Sequence, residues 1–311
     1  MADLTTRTAG DGAGVGKARD TAAATGAGTG GPAVLGAAQR RLAVLDALRR
    51  AGGKALVPYV MLGDPDLETT VAVARAMAAA GADAIEFGLP FSDPLADGPV
   101  IQAAGQRALG AGFRVHSAFD VLRRLRLVLT CPLCLMTYVN PIWQRGYAAF
   151  AEAAAAAGAD ALVVPDLPLE ESGALGEDCR RVGMDLVLFV APTSTEARMA
   201  AVGRAGSGFI YCVSVAGVTG AREDTLARVP ATVARARRHT NLPLLVGFGI
   251  NTREKAVAAA SVADGVIVAS SIVQAVAALG PHAAPAERGA LAGRMVAELR
   301  AALPRGRADV G

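Results

Sequence analysis

Three carboxylates stand close together in an otherwise apolar stretch, AIEFGLPFSDPLADGP at residues 84–99. Glu86, Asp93 and Asp97 have no basic residue among them, so pairing within the segment does not explain them. Glu86 lies in an apolar run typical of a buried strand, where desolvation raises a carboxyl pKa toward the working range of a general acid-base group. We interpret Glu86 as the best candidate for proton transfer. The alternatives are an outward Glu86 paired with an arginine, and solvated turn residues at Asp93 and Asp97.

Composition limits the function classes. The chain has 311 residues, of which 52% are hydrophobic, and a formal charge of +3. This length fits one large α/β barrel without requiring a second domain. Gly, Pro, Asp or Arg interrupts each apolar run before the roughly 18 residues that a membrane span needs. Without a basic, aromatic-interleaved stripe, nucleic-acid binding is unsupported, and we expect a soluble protein that acts on a small molecule.

The four cysteines are too few and too scattered for a disulfide framework, which favours reduced thiols and a cytoplasmic location. The CPLC pair, Cys131 and Cys134, has the spacing of a metal or redox site. It runs into a predicted strand, however, where residues three apart face opposite sides, and no second CxxC completes a zinc site. We expect both cysteines to be structural.

The two ends of the chain differ from its middle. Residues 1–37 are rich in Gly, Ala and Thr and contain no aromatic residue, so we expect a disordered tail. The segment AAQRRLAVLDALRRAGG then predicts an amphipathic helix that ends at a glycine pair. We assign residues 38–303 to one domain and residues 304–311 to a short C-terminal tail.

That domain repeats one pattern, a short apolar run followed by a helical segment. Eight such runs occur: ALVPYVM, AIEFG, LCLMTY, ALVVPD, LVLFV, FIYCVSV, LLVGFG and GVIVAS. Continuous apolar strands joined by helices indicate a parallel sheet buried on both faces. Eight units predict a closed (β/α)₈ TIM barrel, and an open doubly wound sheet is the alternative.

A barrel of this kind places its chemistry at the C-terminal ends of its strands. The residues expected there are Tyr59, Glu86, Asp166, Tyr211, Gly249 and Ser270. Lysine occurs only at Lys17, Lys54 and Lys255, away from these ends, which argues against a Schiff base. The three histidines do not cluster with carboxylates at metal-ligand spacing, so we expect no metal. Acid-base chemistry by carboxylates, assisted by tyrosine, is the remaining prediction.

Two loops favour a phosphorylated substrate. GFGINTREKA and VASSIV place Gly249 and Ser270 at helix starts, whose free N–H groups bind anions. The loops after the seventh and eighth barrel strands often form such a site, although plain turn chemistry is the alternative. SVAGVTGAREDT, with Thr219 between Gly217 and Gly220, predicts a lid, and a loop without function is its alternative.

These motifs together resemble the tryptophan synthase alpha chain family over roughly residues 39–302. The matching segments are VPYVMLGDPD, EFGLPFSDPLADGPVIQAA, LMTYVNPI, VPDLPLEES, APTST, GFIYCVSVAGVTGAR and VGFGI. The resemblance implies a lyase that cleaves indole-3-glycerol phosphate to indole and glyceraldehyde 3-phosphate by retro-aldol chemistry. It also implies no cofactor in this chain, and a beta chain partner that holds pyridoxal phosphate in an α2β2 tetramer.

The resemblance also implies roles for individual residues. Glu86 protonates C3 of the indole and deprotonates the side-chain hydroxyl, Asp97 stabilises the positive ring nitrogen, Tyr211 lies near Glu86, and the lid residue Thr219 reaches Asp97. The remaining implied positions are Gly220, Gly249 and Ser270 for phosphate, Tyr59, Ile101, Met136 and Phe248 for the indole pocket, and Pro90 and Asp93 for the partner.

One position departs from the family pattern, because Ala269 stands where glycine is common and its methyl group is expected to crowd the phosphate. Two alternative functions stay open. A free-standing indole-3-glycerol phosphate lyase would need no partner. An inactive barrel that activates a beta chain would need no active site, and the joint presence of Glu86, Asp97, Tyr211 and Thr219 argues against it.

Overall fold

A computed structural model of the chain describes residues 53–214 and 226–303. The predicted tail at residues 1–37, the predicted helix before Gly53 and the predicted tail at residues 304–311 lie outside the described residues.

Eight parallel strands form a closed barrel in the order β1 to β8. The strands are β1 Ala55–Met61, β2 Ile85–Gly88, β3 Leu133–Met136, β4 Ala161–Val163, β5 Asp185–Val190, β6 Ile210–Val213, β7 Leu244–Gly247 and β8 Gly265–Val268. The barrel closes where β8 pairs with β1, with Ala55 opposite Gly265. The structure therefore confirms the predicted (β/α)₈ barrel and excludes the open sheet.

Helices return the chain from the end of each strand to the start of the next. They are α1 Leu67–Ala79, α2 Pro99–Gly110, α3 Val115–Arg126, α4 Val139–Arg145, α5 Tyr147–Ala156, α6 Gly173–Val182, α7 Glu196–Ala205, α8 Val229–Arg237, α9 Arg253–Val262, α10 Ser270–Ala278 and α11 Pro285–Ala302, with a short 3₁₀ helix at Leu169–Glu171. Side-chain caps fix several starts: Asp66 accepts a 2.7 Å hydrogen bond from the Thr69 N–H at the start of α1.

The apolar residues form two cores, one between the barrel and its helices and one inside the barrel. Strand residues alternate between them because successive side chains point to opposite faces. On β2, Ile85 and Phe87 belong to the outer core, whereas Glu86 is buried and lines a cavity inside the barrel. The outward, arginine-paired alternative for Glu86 is therefore wrong.

The cysteines are all free. Cys134 lies on β3 inside the barrel, directly opposite Glu86 in the strand register. Cys131 precedes the start of β3 at Leu133, so the opposite-face argument from the sequence is wrong, because only one of the pair belongs to the strand. Within the described residues no helix is both long and apolar enough to cross a membrane.

Candidate active site

A cavity of about 530 Å³ opens at the C-terminal end of the barrel. It brings together nine residues that the sequence singled out: Tyr59, Glu86, Asp97, Ile101, Met136, Tyr211, Phe248, Gly249 and Ser270. Ala269, which the sequence analysis expected to crowd the phosphate, also lines the cavity. The sequence analysis did not propose the other six lining residues: Gly98, Pro99, Val100, Ile250, Asn251 and Ile267. None of these described lining residues is basic. The cavity therefore combines an apolar wall with two carboxylates that no basic residue of the described lining neutralises.

Glu86 lines this cavity from β2. The barrel interior surrounds it, its side chain is 1% exposed, and its Oε2 atom has no hydrogen-bond partner among the described residues. Burial, reinforced by the charge of Asp97, raises the pKa of Glu86 to about 8. At neutral pH Glu86 is therefore mostly protonated and can act as an acid.

Asp97 faces the same cavity from the loop before α2. Burial raises its pKa to about 6, and a hydrogen bond that the Tyr138 hydroxyl donates to the carboxylate opposes this rise. The Tyr138 oxygen also accepts a 3.1 Å hydrogen bond from the Ala96 N–H. The Gln102 side chain donates to the Asp97 carbonyl oxygen at 2.9 Å. Asp97 is thus held in place and is mostly ionised at neutral pH.

Sequence reasoning missed Tyr138, which does not line the cavity but contacts it through Asp97. Its ring stacks on Phe91, with 5.2 Å between the ring centroids, and so ties the loop after β2 to the segment after β3. The only sequence signal was its place two residues past Met136, near the end of a strand. That place identifies a barrel position but not a hydrogen-bond partner.

Two tyrosine rings pass over glycines to reach the cavity. A Cβ atom on Gly88 would lie 1.7 Å from the Tyr59 hydroxyl, and one on Gly247 would lie 2.2 Å from the Tyr211 hydroxyl. Tyr211 also stacks on Phe189, with 5.0 Å between centroids. Any larger residue at either glycine would displace the ring. Gly88 and Gly247 therefore shape the site without lining it.

The loop after β7 and the start of α10 present backbone groups to the cavity. Phe248 and Gly249 both have left-handed backbones, with φ of 63° and 71°, and the Ser214 hydroxyl donates to the Phe248 carbonyl at 2.5 Å. Helix α10 begins at Ser270 without a side-chain cap. Its first N–H groups suit a phosphate, and the Ala269 methyl group lies beside them.

The other predicted residues lie elsewhere. Pro90 is buried, and Asp93 is exposed with its carboxylate 2.5 Å from the Ser92 hydroxyl. Asp166 does not line the cavity; it accepts a 2.8 Å hydrogen bond from the Val139 N–H at the start of α4. Thr219 and Gly220 lie outside the described residues. Over residues 53–214 and 226–303, no group of three His, Cys, Asp or Glu side chains could hold a metal ion.

Comparison with known proteins identifies the family. Its sequence model, tryptophan synthase alpha chain, matches residues 45–299. A tryptophan synthase alpha chain from Synechococcus elongatus is 51% identical over 228 residues, which cover 73% of this chain and 86% of that protein. The chain belongs to the tryptophan synthase alpha chain family. An alpha chain from Carboxydothermus hydrogenoformans is 47% identical over 226 residues, 73% of this chain and 85% of that one.

Solved structures of the family agree with this assignment. Tryptophan synthase subunit alpha from Legionella pneumophila matches with a TM-score of 0.75 at 34% identity, covering 85% of this chain and 97% of that chain. A chain from a tryptophan synthase α2β2 complex of Pyrococcus furiosus matches with a TM-score of 0.70 at 33% identity, covering 80% and 98%. The chain is thus a carbon-carbon lyase of tryptophan biosynthesis, since this family cleaves indole-3-glycerol phosphate and has no cofactor of its own.

Proposed function

We propose that Glu86 and Asp97 divide the acid-base work of indole-3-glycerol phosphate cleavage between them. The observation that supports this most strongly is a pair of buried carboxylates on one cavity with separated pKa values, about 8 for Glu86 and about 6 for Asp97. Such a separation assigns acid and base roles, because one group keeps its proton at a pH where the other has lost it.

The steps follow from these protonation states. Glu86 donates its proton to C3 of the indole ring, and the ring nitrogen becomes positively charged. The Asp97 carboxylate stabilises that nitrogen by accepting its N–H hydrogen bond. The Glu86 carboxylate then takes the proton of the side-chain hydroxyl, and the bond from C3 to the side chain breaks with its electrons returning to the ring. Indole and glyceraldehyde 3-phosphate leave, and Glu86 is protonated again.

Binding is assigned to the two ends of the cavity. Tyr59, Ile101, Met136 and Phe248 form the apolar slot for indole, which excludes water from the reacting atoms, and Tyr211 lies beside it. Gly249 and the start of α10 at Ser270 hold the phosphate through backbone N–H groups. Residues 38–303 form the lyase domain in this proposal, and the roles of Thr219 and Gly220 in a lid stay predictions.

Indole release from indole-3-glycerol phosphate by the purified full chain tests the proposal. We expect turnover, with inorganic phosphate as a competitive inhibitor because it occupies the Gly249 and Ser270 end. Ala269→Gly is the matched variant, since removal of the methyl group should lower the inhibition constant for phosphate. No indole from the wild-type chain, alone or with a beta chain, would overturn the assignment and favour the inactive barrel.

A beta chain is the proposed partner, docking at the C-terminal end of the barrel. Leu95 and Trp143 are 78% and 69% exposed there, on the loop after β2 and on α4 after β3. The Ala96–Tyr138 hydrogen bond joins these two segments, so both apolar side chains belong to neighbouring pieces of surface. Tryptophan is enriched among the few residues that dominate binding at protein interfaces, so Trp143 is the proposed anchor. Asp93 lies on the same loop as Leu95 and is available to the partner.

Trp143→Ala tests the docking surface by beta-chain affinity, with Leu127→Ala as its control. Leu127 is 67% exposed but follows α3 and therefore lies at the opposite end of the barrel. We expect at least roughly a tenfold weaker affinity for Trp143→Ala and no change for Leu127→Ala. Equal effects of the two variants would exclude this surface.

We further propose that the assembly is an α2β2 tetramer whose pyridoxal phosphate is held by the beta chain, and that it works in the cytoplasm, where free thiols such as these four persist. Turnover of the isolated chain that rises when a beta chain is added supports the complex. Fast turnover that is indifferent to a beta chain would indicate a free-standing lyase instead.

A further inference from the structure

Tyr59 has a polar group that the proposed mechanism does not use. Its side chain is 3% exposed, and its hydroxyl has one hydrogen-bond partner among the described residues, the Met61 sulfur at 3.9 Å. A thioether is a weak acceptor, so the O–H is effectively available. A donor left without a strong partner in a buried cavity costs stability, which points to a use elsewhere in the reaction.

One carboxyl oxygen of Glu86 lacks a hydrogen-bond donor among the described residues. Tyr59 and Glu86 are opposite each other in the register of β1 and β2, and both line the cavity. The Tyr59 hydroxyl lies over Gly88, two residues after Glu86 on the same face of the same strand. The Glu86 Oε2 atom, without a partner in the described residues, therefore lies on the strand that the Tyr59 hydroxyl already reaches.

Building on the proposed role of Glu86, we propose that Tyr59 is a positioning residue whose hydroxyl donates a hydrogen bond to the Glu86 carboxylate once that group has given its proton to the substrate. No proton is transferred from the phenol, which only stabilises the new charge. While Glu86 is protonated the hydroxyl rests against Met61. The donor thus engages whenever Glu86 is an anion, and during turnover this is the step that creates the buried charge, where stabilisation accelerates the reaction.

The groups facing Glu86 from each packed element favour Tyr59 for this task. They are Tyr59 on β1, Asp97 in the loop after β2, Cys134 on β3 and Tyr211 on β6. Asp97 is an acceptor when ionised, and a thiol is a weak donor. The Tyr211 hydroxyl lies over Gly247 on β7, whereas the Tyr59 hydroxyl lies over Gly88 on β2, the strand that carries Glu86. Burial and both carboxylates raise the pKa of Tyr59 well above its ordinary value, so its proton stays available.

Tyr59→Phe in the full chain tests the proposal, because it keeps the ring and removes only the hydroxyl. We expect kcat to fall roughly tenfold with KM little changed, and the alkaline limb of the pH profile of kcat/KM to move up by about one pH unit. The limb moves up because the carboxylate form of Glu86 loses its donor. A loss of packing alone would lower the rate without moving that limb, so an unmoved limb would overturn the proposal.

Met61→Leu is the second variant, since it removes the resting acceptor and keeps the hydroxyl. We expect kcat within about twofold of wild type and no upward movement of the alkaline limb. A limb that moves up in Met61→Leu as in Tyr59→Phe would assign the effect to packing and overturn the proposal. Failure here is distinct from failure of the proposed function, because the wild-type chain would still release indole.

Discussion

The two ends of the barrel use carboxylates in opposite ways. At the C-terminal end, Glu86 and Asp97 face the cavity with no basic residue among the described residues that line it. At the N-terminal end, three aspartates that precede β2, β4 and β8 each pair with an arginine; we call Asp83, Asp160 and Asp264 the strand-start aspartates. The same chemical group faces no described basic residue in the cavity at one end and forms ion pairs at the other.

Each strand-start aspartate also accepts a backbone hydrogen bond from the neighbouring strand. Asp83 accepts from the Leu56 N–H of β1 at 2.8 Å, Asp160 from Leu133 of β3 at 2.8 Å, and Asp264 from Leu244 of β7 at 2.7 Å. The carboxylate thus links two strands and an arginine at once. The comparison teaches that the partners, and not the burial of a carboxylate alone, decide whether it stabilises the fold or performs chemistry.

The largest expected effect is on activity, at the C-terminal end. Glu86→Gln keeps the shape of the side chain and removes proton transfer, so we expect indole release to fall at least about 100-fold while the chain stays folded. The measurement is steady-state indole production, with circular dichroism to verify folding. Turnover equal to wild type would remove Glu86 from the mechanism.

A substitution at the N-terminal end of the barrel should instead lower stability and leave activity unchanged. Arg300 and Asp83 are 7% and 18% exposed, with 2.8 Å between Nη1 and Oδ2. Arg300→Met removes the guanidinium that pairs with Asp83, so we expect a loss of about 3 kcal/mol in the free energy of unfolding, or roughly 6 to 12 °C in Tm, with kcat unchanged.

The exposed ion pair between Arg237 and Asp264, at the same end of the barrel, provides the control. Arg237 and Asp264 are 41% and 42% exposed, so solvent screens their attraction. Arg237→Met should cost less than about 1 kcal/mol by the same thermal-unfolding assay. If the two methionine variants lost equal stability, burial would not determine how much an N-terminal ion pair contributes to the free energy of unfolding.

Ionised Glu86 should destabilise the fold, whereas the strand-start aspartates stabilise it. Its pKa rises from 4.5 to about 8 on folding, so its contribution to stability is complete below about 4.5 and is lost as pH rises to about 8. Glu86→Gln cannot ionise. As pH rises through that window, the unfolding free energy of Glu86→Gln minus that of wild type should therefore increase by roughly 1.4 kcal/mol for each pH unit. Parallel pH curves for the two proteins would contradict the raised pKa.

The pH dependence of activity should show both cavity carboxylates. Asp97 must be ionised and Glu86 protonated, so kcat/KM should rise with pH around 6 and fall around 8. One pH unit outside either limit, we expect roughly a tenfold loss. Asp97→Asn should lose the acid limb and move the alkaline limb to lower pH, because the charge of Asp97 helps to raise the pKa of Glu86. An unchanged acid limb would assign that limb to another group.

Much of the barrel could be predicted from the sequence because buried parallel strands are apolar along their whole length. Strand ends were less predictable: the run LCLMTY extends past the observed end of β3 at Met136, since Thr137 and Tyr138 are as compatible with a strand as the residues before them. Glu86 stood out because a charge in an apolar strand is costly. Its role, like the other site roles, remains a prediction.

Partners distant in sequence could not be predicted. The tripeptide GAD occurs at residues 81–83 and 158–160 and ends in Asp83 and Asp160, but the arginines of these two aspartates lie 217 and 34 residues away. Nothing local to Arg300 or Arg126 distinguishes either from the many exposed arginines. Tyr138 was missed for the same reason, since its hydroxyl contacts a loop that comes earlier in the chain.

The smallest effect we expect comes from that missed residue. Tyr138→Phe keeps the stacking on Phe91 and removes the hydroxyl that donates to Asp97 and so lowers its pKa. The acid limb of kcat/KM should therefore move up by about half a pH unit, with a roughly twofold loss near pH 6 that approaches threefold at lower pH and disappears near pH 8. Tyr147→Phe, which removes a hydroxyl from α5 outside the cavity, is the control. A loss of the same size at every pH would instead mean that Tyr138 only orders the loop. The contrast between the cavity carboxylates, whose pKa values are raised, and the ion-paired strand-start aspartates would then depend on Glu86 alone.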